Sequence, residues 1–224
     1  LSSLATLFNA LFISGGPAEN GSYRNIELIR NNKIIQVADL YDFLLKADQK
    51  ANVGLKDNDV IRIPFAITKV NIDGEVNRPG IYELQRNETL ADVLTFAGGY
   101  KSLAYKARIT GVRNTDFDKR VIDIIKDSIA YFKPQNGDSY SIGGIIDRFQ
   151  NRVVINGTVF KPGNYAVEKG ITLDQLIKKA EGLREDAYTE RVIIIRTRED
   201  LTKEYISVNL NTQSGKNLLI QKED

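Results

Sequence analysis

The 224-residue sequence predicts an α+β protein made of tandem small modules, each a mixed sheet with one main packed helix. Stretches of two-residue apolar period lead into a stretch of helical period, and the same text returns 83 positions further along the chain. A module of roughly 80 residues lies near the lower limit for an independent core and buries only about 60% of its unfolded surface. Contacts between neighbouring modules are therefore expected to matter.

The first full copy of the repeated text runs from Val70 to Gly99. Val70, Ile72 and Val76, with Gly74 between them, alternate as a half-buried strand does. Pro79-Gly80 supplies the fixed φ and the permissive φ of a type II turn, and Ile81 to Leu84 returns as the second strand. Thr89 is placed as a helix N-cap. Leu90, Val93, Leu94 and Ala97 then form one apolar face of a short amphipathic helix, which Gly98-Gly99 ends in the left-handed conformation glycine tolerates.

Gly74, Pro79, Gly80, Tyr82, Thr89, Leu90, Ala97 and Gly99 become Gly157, Pro162, Gly163, Tyr165, Thr172, Leu173, Ala180 and Gly182 at the offset of 83. Counted 83 positions back, Thr6, Leu7, Ala10, Leu11, Gly15 and Gly16 match the helix and its glycines, so the chain opens on the helix of a third copy. The apolar opening Leu4 to Ile13 lacks the basic start and small-residue cleavage site of a signal peptide, and is expected to be that helix. The expected organisation is a partial module lacking its first hairpin over residues 1–64, a module over 65–142, a hinge over 143–152 around Gly143-Gly144, and a module lacking its closing strand over 153–224. The chain is accordingly expected to be a window on a longer array.

Within the first module, strands are expected around Ile26 and Leu28 and from Lys33 to Val37, joined by a turn at Asn31-Asn32. Leu40, Phe43, Leu44 and Ala47 predict a second helical stripe, and Val60 to Ile63 a closing strand. The middle module continues with strands at Ala107 to Val112, Arg120 to Ile124 and near Tyr140, and the last with Val192 to Thr197 and Lys203 to Val208. Asp57-Asn58-Asp59 and Asn136-Gly137-Asp138 each precede a closing strand, and Lys222-Glu223-Asp224 stands at the same place in the last module.

Composition removes several function classes. With no cysteine there is no disulfide framework or thiolate metal site, and with no histidine the commonest general base and nearly all zinc sites are gone. An enzyme would have to work with carboxylate, lysine or tyrosine, and no cofactor is expected. The net charge is +2, and Val153 to Asp224 holds eleven basic and eleven acidic residues, so nucleic acid is not an expected partner. No apolar run approaches the roughly 18 residues of a membrane span.

A hairpin, a helix packed across it, further strands and a closing strand make a β-grasp-like module. The segments VNIDGEVNRPGIYEL with ETLADVLTFAGG, and VVINGTVFKPGNYAV with ITLDQLIKKAEG, resemble the soluble-ligand-binding β-grasp (SLBB) repeats of outer-membrane polysaccharide export proteins, the Wza-like family. The resemblance implies a non-catalytic protein of the bacterial periplasm, associated with the outer membrane, that forms a homo-oligomeric ring in the full-length protein. It further implies polysaccharide and the inner-membrane export machinery as partners. The rival expectation is a periplasmic glycan- or small-ligand-binding module acting as a monomer.

Arg78 and Lys161, each before a Pro-Gly pair (Pro79-Gly80, Pro162-Gly163), are candidates to meet an acidic sugar or a neighbouring subunit from an exposed turn. Arg113 and Arg196, with Arg30, recur at the end of one strand. Their planar forks would suit a uronate, although recurrence in every copy favours an internal salt bridge. Tyr105 and Tyr188 recur as possible sugar-stacking faces, whereas Tyr82 and Tyr165 in the second strand are expected to pack in the core. The adjacent carboxylates Glu185-Asp186 and Glu199-Asp200 read as solvated charge rather than a glycosidase pair. Asp57, Asn58, Asp59 and Asp138 lack the alternating spacing of a calcium loop, so no metal is expected.

Overall fold

The computed structural model describes residues 5–224. Leu4, expected at the head of the opening helix, lies outside them with the rest of residues 1–4. The chain divides into two compact units, Leu1–Ile145 and Ile146–Asp224.

Unit 1 begins with α1 (Leu7–Ile13), started by Thr6, whose hydroxyl accepts from Asn9 N, and burying Leu7, Phe8 and Leu11. Strands β1 (Ile26–Arg30) and β2 (Lys33–Ala38) are joined by Asn31-Asn32, both at positive φ, the conformation that matches the twist of a tight hairpin. β3 (Val60–Arg62) pairs with the other edge of β1, completing an antiparallel sheet of order β2-β1-β3. The stripe expected on α2 (Leu40–Lys46) is half realised. Leu40 is buried and the Phe43 ring lies 4.9 Å from that of Phe8, but Leu44 is 60% exposed and Ala47 leaves the helix in the left-handed region. Seven residues make fewer than two turns, so Leu40 is buried and Phe43 packs against the edge of the core while the later positions turn away from it.

The second half of unit 1 contains β4 (Thr68–Gly74), β5 (Gly80–Leu84), α3 (Leu90–Phe96), β6 (Arg108–Asn114), β7 (Lys119–Ile125), a 3-10 turn at Lys126–Ser128 and β8 (Ser139–Ile142). The five strands form one mixed sheet in the order β5-β4-β8-β6-β7. Last in sequence, β8 enters the middle, parallel to β4 and antiparallel to β6. Leu90, Val93, Leu94 and Ala97 of the helix face are all buried, against Val70, Ile72, Ile109, Ile124, Tyr140 and Ile142 of the sheet.

Unit 2 has β9 (Arg152–Ile155), β10 (Gly163–Ala166), α4 (Leu173–Lys179), β11 (Val192–Thr197), β12 (Lys203–Val208) and a short α5 (Gln213–Lys216) that no periodicity announced. Its β9-β10 and β11-β12 ladders are separate. Val153, Leu173, Leu176, Ile194, Val208 and Ile220 form its core. Among the described residues the mixed sheet expected of every module is therefore complete only in the middle one, because only there does a strand stand between the two hairpins.

One further expectation is corrected. Pro79-Gly80 does not form a type II turn: Gly80 is already the first residue of β5, paired with Ile72, and its φ of 159° lies far from the value such a turn requires. The bend is made at Gly74, with φ 81°, and the loop after it is held by Asn77 N donating to Gly99 O at 3.0 Å and Arg78 N to Ala97 O at 2.9 Å. Unit 2 repeats this, with Phe160 N to Gly182 O and Lys161 N to Ala180 O, and Gly163 likewise opens β10. The boundary between the units, at Ile145 and Ile146, falls within the span 143–152 read as a hinge, and Tyr105 N donates to Gly143 O and Ile145 N to Leu103 O on the unit 1 side of it, both at 2.8 Å.

Candidate functional site

The recurrent arginines hold the closing end of each module. Arg30 donates through Nε and Nη2 to the two oxygens of Asp59, both at 2.7 Å. Arg113 does so to Asp138 at 2.9 and 2.7 Å, and Arg196 to Asp224 at 2.9 and 2.6 Å. In each copy the aspartate also accepts the backbone N–H three residues before it, from Lys56, Gln135 or Gln221. Two parallel charge-assisted bonds and a closed turn fix the chain where a closing strand starts. Hydrogen bonds from Arg30 bring the Asp59 carboxyl down to about 2. Burial pushes Asp138 up, but Arg113, the Tyr140 hydroxyl and Gln135 N–H outweigh it and its net shift is downward. Both candidate forks, Arg113 and Arg196, thus face their own module's carboxylate.

Arg78 and Lys161 stand on the loops docked against the ends of α3 and α4. A Cβ added at Gly98 would lie 3.2 Å from Arg78 Nε, so the guanidinium covers the helix end, and Lys161 pairs with Glu181. The hydroxyls of Tyr82 and Tyr165 donate to the carbonyls of Arg78 and Lys161 at 2.7 and 2.5 Å. These tyrosines pack against the cores with their rings and close the loop with their tips. Tyr105 and Tyr188 are 46% and 66% exposed. The structure brings neither tyrosine to its module's arginine clamp by any hydrogen bond.

Sequence reasoning missed a buried polar cluster where the first module meets the second inside unit 1. Arg24, 8% exposed, bonds Asp39 and Glu88 through its guanidinium, which also lies 4.7 Å from the Tyr41 ring centre and 5.1 Å from that of Phe96. Glu83, equally buried, accepts from Ser22 Oγ at 2.6 Å and Tyr23 N at 2.7 Å, while its own N–H donates to the Tyr41 hydroxyl at 2.9 Å. Burial opposes the charge on Arg24, and the bonds to Asp39 and Glu88 more than restore it, leaving its pKa raised. Burial pushes the Tyr41 phenol up to about 12. The available signal was a lone arginine and glutamate in otherwise strand-like text. No repeat marked them, since Ala107 and Ala166 stand 83 positions later.

Beside this junction opens a cleft of about 730 Å³ lined by Tyr23, Tyr41, Phe65, Lys69, Asn71 and Asn136, among others. It offers flat aromatic surface beside amide groups. No group of three or more metal-ligating side chains occurs among the described residues.

An SLBB domain model matches residues 69–121, and a second SLBB domain model matches residues 151–224. Together they take in more than half of the chain. The chain belongs to the SLBB domain family. No curated protein matches it. The first SLBB match spans β4, β5, α3, β6 and the start of β7, and the second spans all the strands of unit 2. SLBB domains are binding and scaffold modules, and the Arg30–Asp59 clamp extends the same closing device to the first module.

Proposed function

We propose that this chain is a structural, non-catalytic component of capsular or exopolysaccharide export across the bacterial outer membrane. It works in the periplasm, as a homo-oligomer in the full-length protein, with polysaccharide and the inner-membrane export machinery as partners. The observation that carries this reading is the presence of two SLBB domains in tandem along one chain, the first of them joined within unit 1 to the preceding module by a buried ion-pair and aromatic junction. Such a chain supports geometry rather than chemistry: identical clamps rigidify each module, and the junction fixes one against the next. Chemistry has little to work with, since histidine and cysteine are absent and Glu185, Asp186, Glu199 and Asp200 are exposed. Light scattering of the full-length protein across a concentration series tests it. A closed oligomer of fixed stoichiometry is expected, and a monomer at every concentration overturns the reading.

The cleft of unit 1 favours a second reading, a monomeric glycan-binding module. Tyr23 and Phe65 supply stacking surface and Asn71 and Asn136 amide groups, and the charged lining holds Glu19, Glu83 and Asp138 against the single cation Lys69, so the sugar taken would be neutral rather than a uronate. Saturable binding of a neutral oligosaccharide by monomeric protein, lost in Phe65→Ala, would establish this alternative.

A further inference from the structure

The hairpin of β6 and β7 turns through Thr115, Asp116, Phe117 and Asp118. Thr115 donates to Asp118 O through its N–H and its hydroxyl, both at 2.8 Å, and Asp118 N donates to Thr115 Oγ1 at 3.0 Å. The tip is thus held in one shape, yet the ring it carries meets almost nothing: Phe117 is 94% exposed. Charges surround it in a set order. Asp116 and Asp118 come first, then Lys119 and Arg120. The ion pairs of this ladder are Arg108–Asp123 and Arg113–Asp138, which leaves those four charges without an ionic partner among the described residues. Arg120 stands directly opposite Arg113, an unfavourable like-charge pairing that Asp138 relieves on the Arg113 side alone. Beside it lies a depression of about 380 Å³ lined by Arg113, Arg120, Val121, Ile122, Asp123 and Phe132.

We propose that this hairpin is a self-association surface: two copies of the chain meet about a two-fold axis, the Asp116-Phe117-Asp118 tip of each seated on the Arg120 base of the other. The order of charges selects the partner. Two identical segments that run from acidic to basic, laid antiparallel, set each acidic half against the other's basic half, which is the self-complementarity a two-fold contact requires. A polyanion or a polycation would answer one half of the segment and be repelled by the other. Phe117 enters the depression beside Ile122 and Phe132, with the Arg120 guanidinium against its ring. The other modules lack the full pattern. The corresponding hairpin of unit 2 carries Glu199, Asp200 and Leu201, 82% exposed, but its Arg198 is bonded to Glu204, and the first module turns at Asn31-Asn32 with neither ring nor charge. One hairpin a side makes a small contact, so the dissociation constant is expected between about 1 μM and 1 mM. The inference rests on the proposed homo-oligomer, one contact of which it names.

Sedimentation of the 224-residue protein, followed up to about 1 mM, tests the contact. Phe117→Ala, Asp118→Arg and Arg120→Asp, all at exposed side chains, are each expected to weaken dimerisation at least about tenfold. Leu201→Ala removes comparable exposed apolar surface from unit 2 and is expected to change nothing. Mixing gives the decisive result. Each charge variant opposes like charges when it meets itself, whereas Asp118→Arg mixed with Arg120→Asp restores opposite charges at both ends of a two-fold contact. The mixture is expected to dimerise within about threefold of the unaltered protein. A monomer throughout the range, variants that dimerise undiminished, or a mixture that stays monomeric overturns the proposal. So does open-ended growth, since a two-fold contact closes at two. The closed oligomer of the full-length protein is measured separately, so its persistence in Phe117→Ala and Arg120→Asp would remove this contact and leave that reading standing.

Discussion

The Arg–Asp clamps give single carboxylates a measurable hold on stability. Asp138 is fully buried as a side chain and paired with Arg113, so Asp138→Asn is expected to cost unit 1 about 3 kcal/mol at neutral pH, read from the urea midpoint. The pH dependence follows from the direction of the shifts. Asp59 and Asp138 have folded pKa values below the ordinary value of about 3.9, so their contribution is fully present above that pH. It is lost as pH falls through the folded values, about 2 for Asp59. The urea midpoint is expected to fall between about pH 4 and pH 2, less steeply in Asp138→Asn; a variant that keeps the full slope would remove Asp138 from the acid transition. Tyr41 sets the opposite limit. Its phenol is held up at about 12, so the neutral form it favours supports the fold below the ordinary value of about 10, and that support is lost as pH rises through 12. Tyr41→Phe is expected to cost about 1 kcal/mol for the lost bond from Glu83 N and to flatten the alkaline limb. The clamps were legible because arginine recurred at one offset, whereas Arg24 and Glu83 occur once and a single polar residue gives no sign of its burial.

Helices and bends were legible to the extent that local chemistry decides them. The face of α3 was readable from period and cap because Thr89 and Asp92 form a reciprocal bond at its start and all four stripe residues are buried. The same spacing on α2 misled, since how much of a short helix meets a core is a tertiary fact. Leu94→Ala is therefore expected to destabilise by about 2 to 5 kcal/mol and Leu44→Ala by less than about 0.5, compared by chemical denaturation. The Pro-Gly pair misled for a related reason: the loop's course is set by the carbonyls of Ala97 and Gly99 across the module, not by its own dipeptide. Glycine at the bend separates local from tertiary demand. Gly157→Ala meets only its positive φ, at about 1 kcal/mol, but Gly74→Ala also drives a methyl into the Ile142 carbonyl and is expected to unfold the middle module.

At the scale of the whole chain, repetition predicted three modules of one kind, and the structure groups them unevenly. The first two share unit 1 because Arg24, Glu83, Tyr41 and Phe96 join them through groups that would be costly to leave buried and alone. Every residue of the two cores of unit 1 precedes Ile145, and every residue of the unit 2 core follows Ile146. Each core is thus closed within its own unit. Residues 1–145 alone are expected to unfold in one cooperative transition and to protect the β4 and β8 amides from exchange as the whole chain does. Arg24→Met is the informative companion. If the junction makes the two modules one folding unit, this variant will split the transition of 1–145 into two. A single transition, merely shifted, would mean that the backbone pairing at Gly21 and Phe65 and the short link from β3 to β4 couple the modules without it.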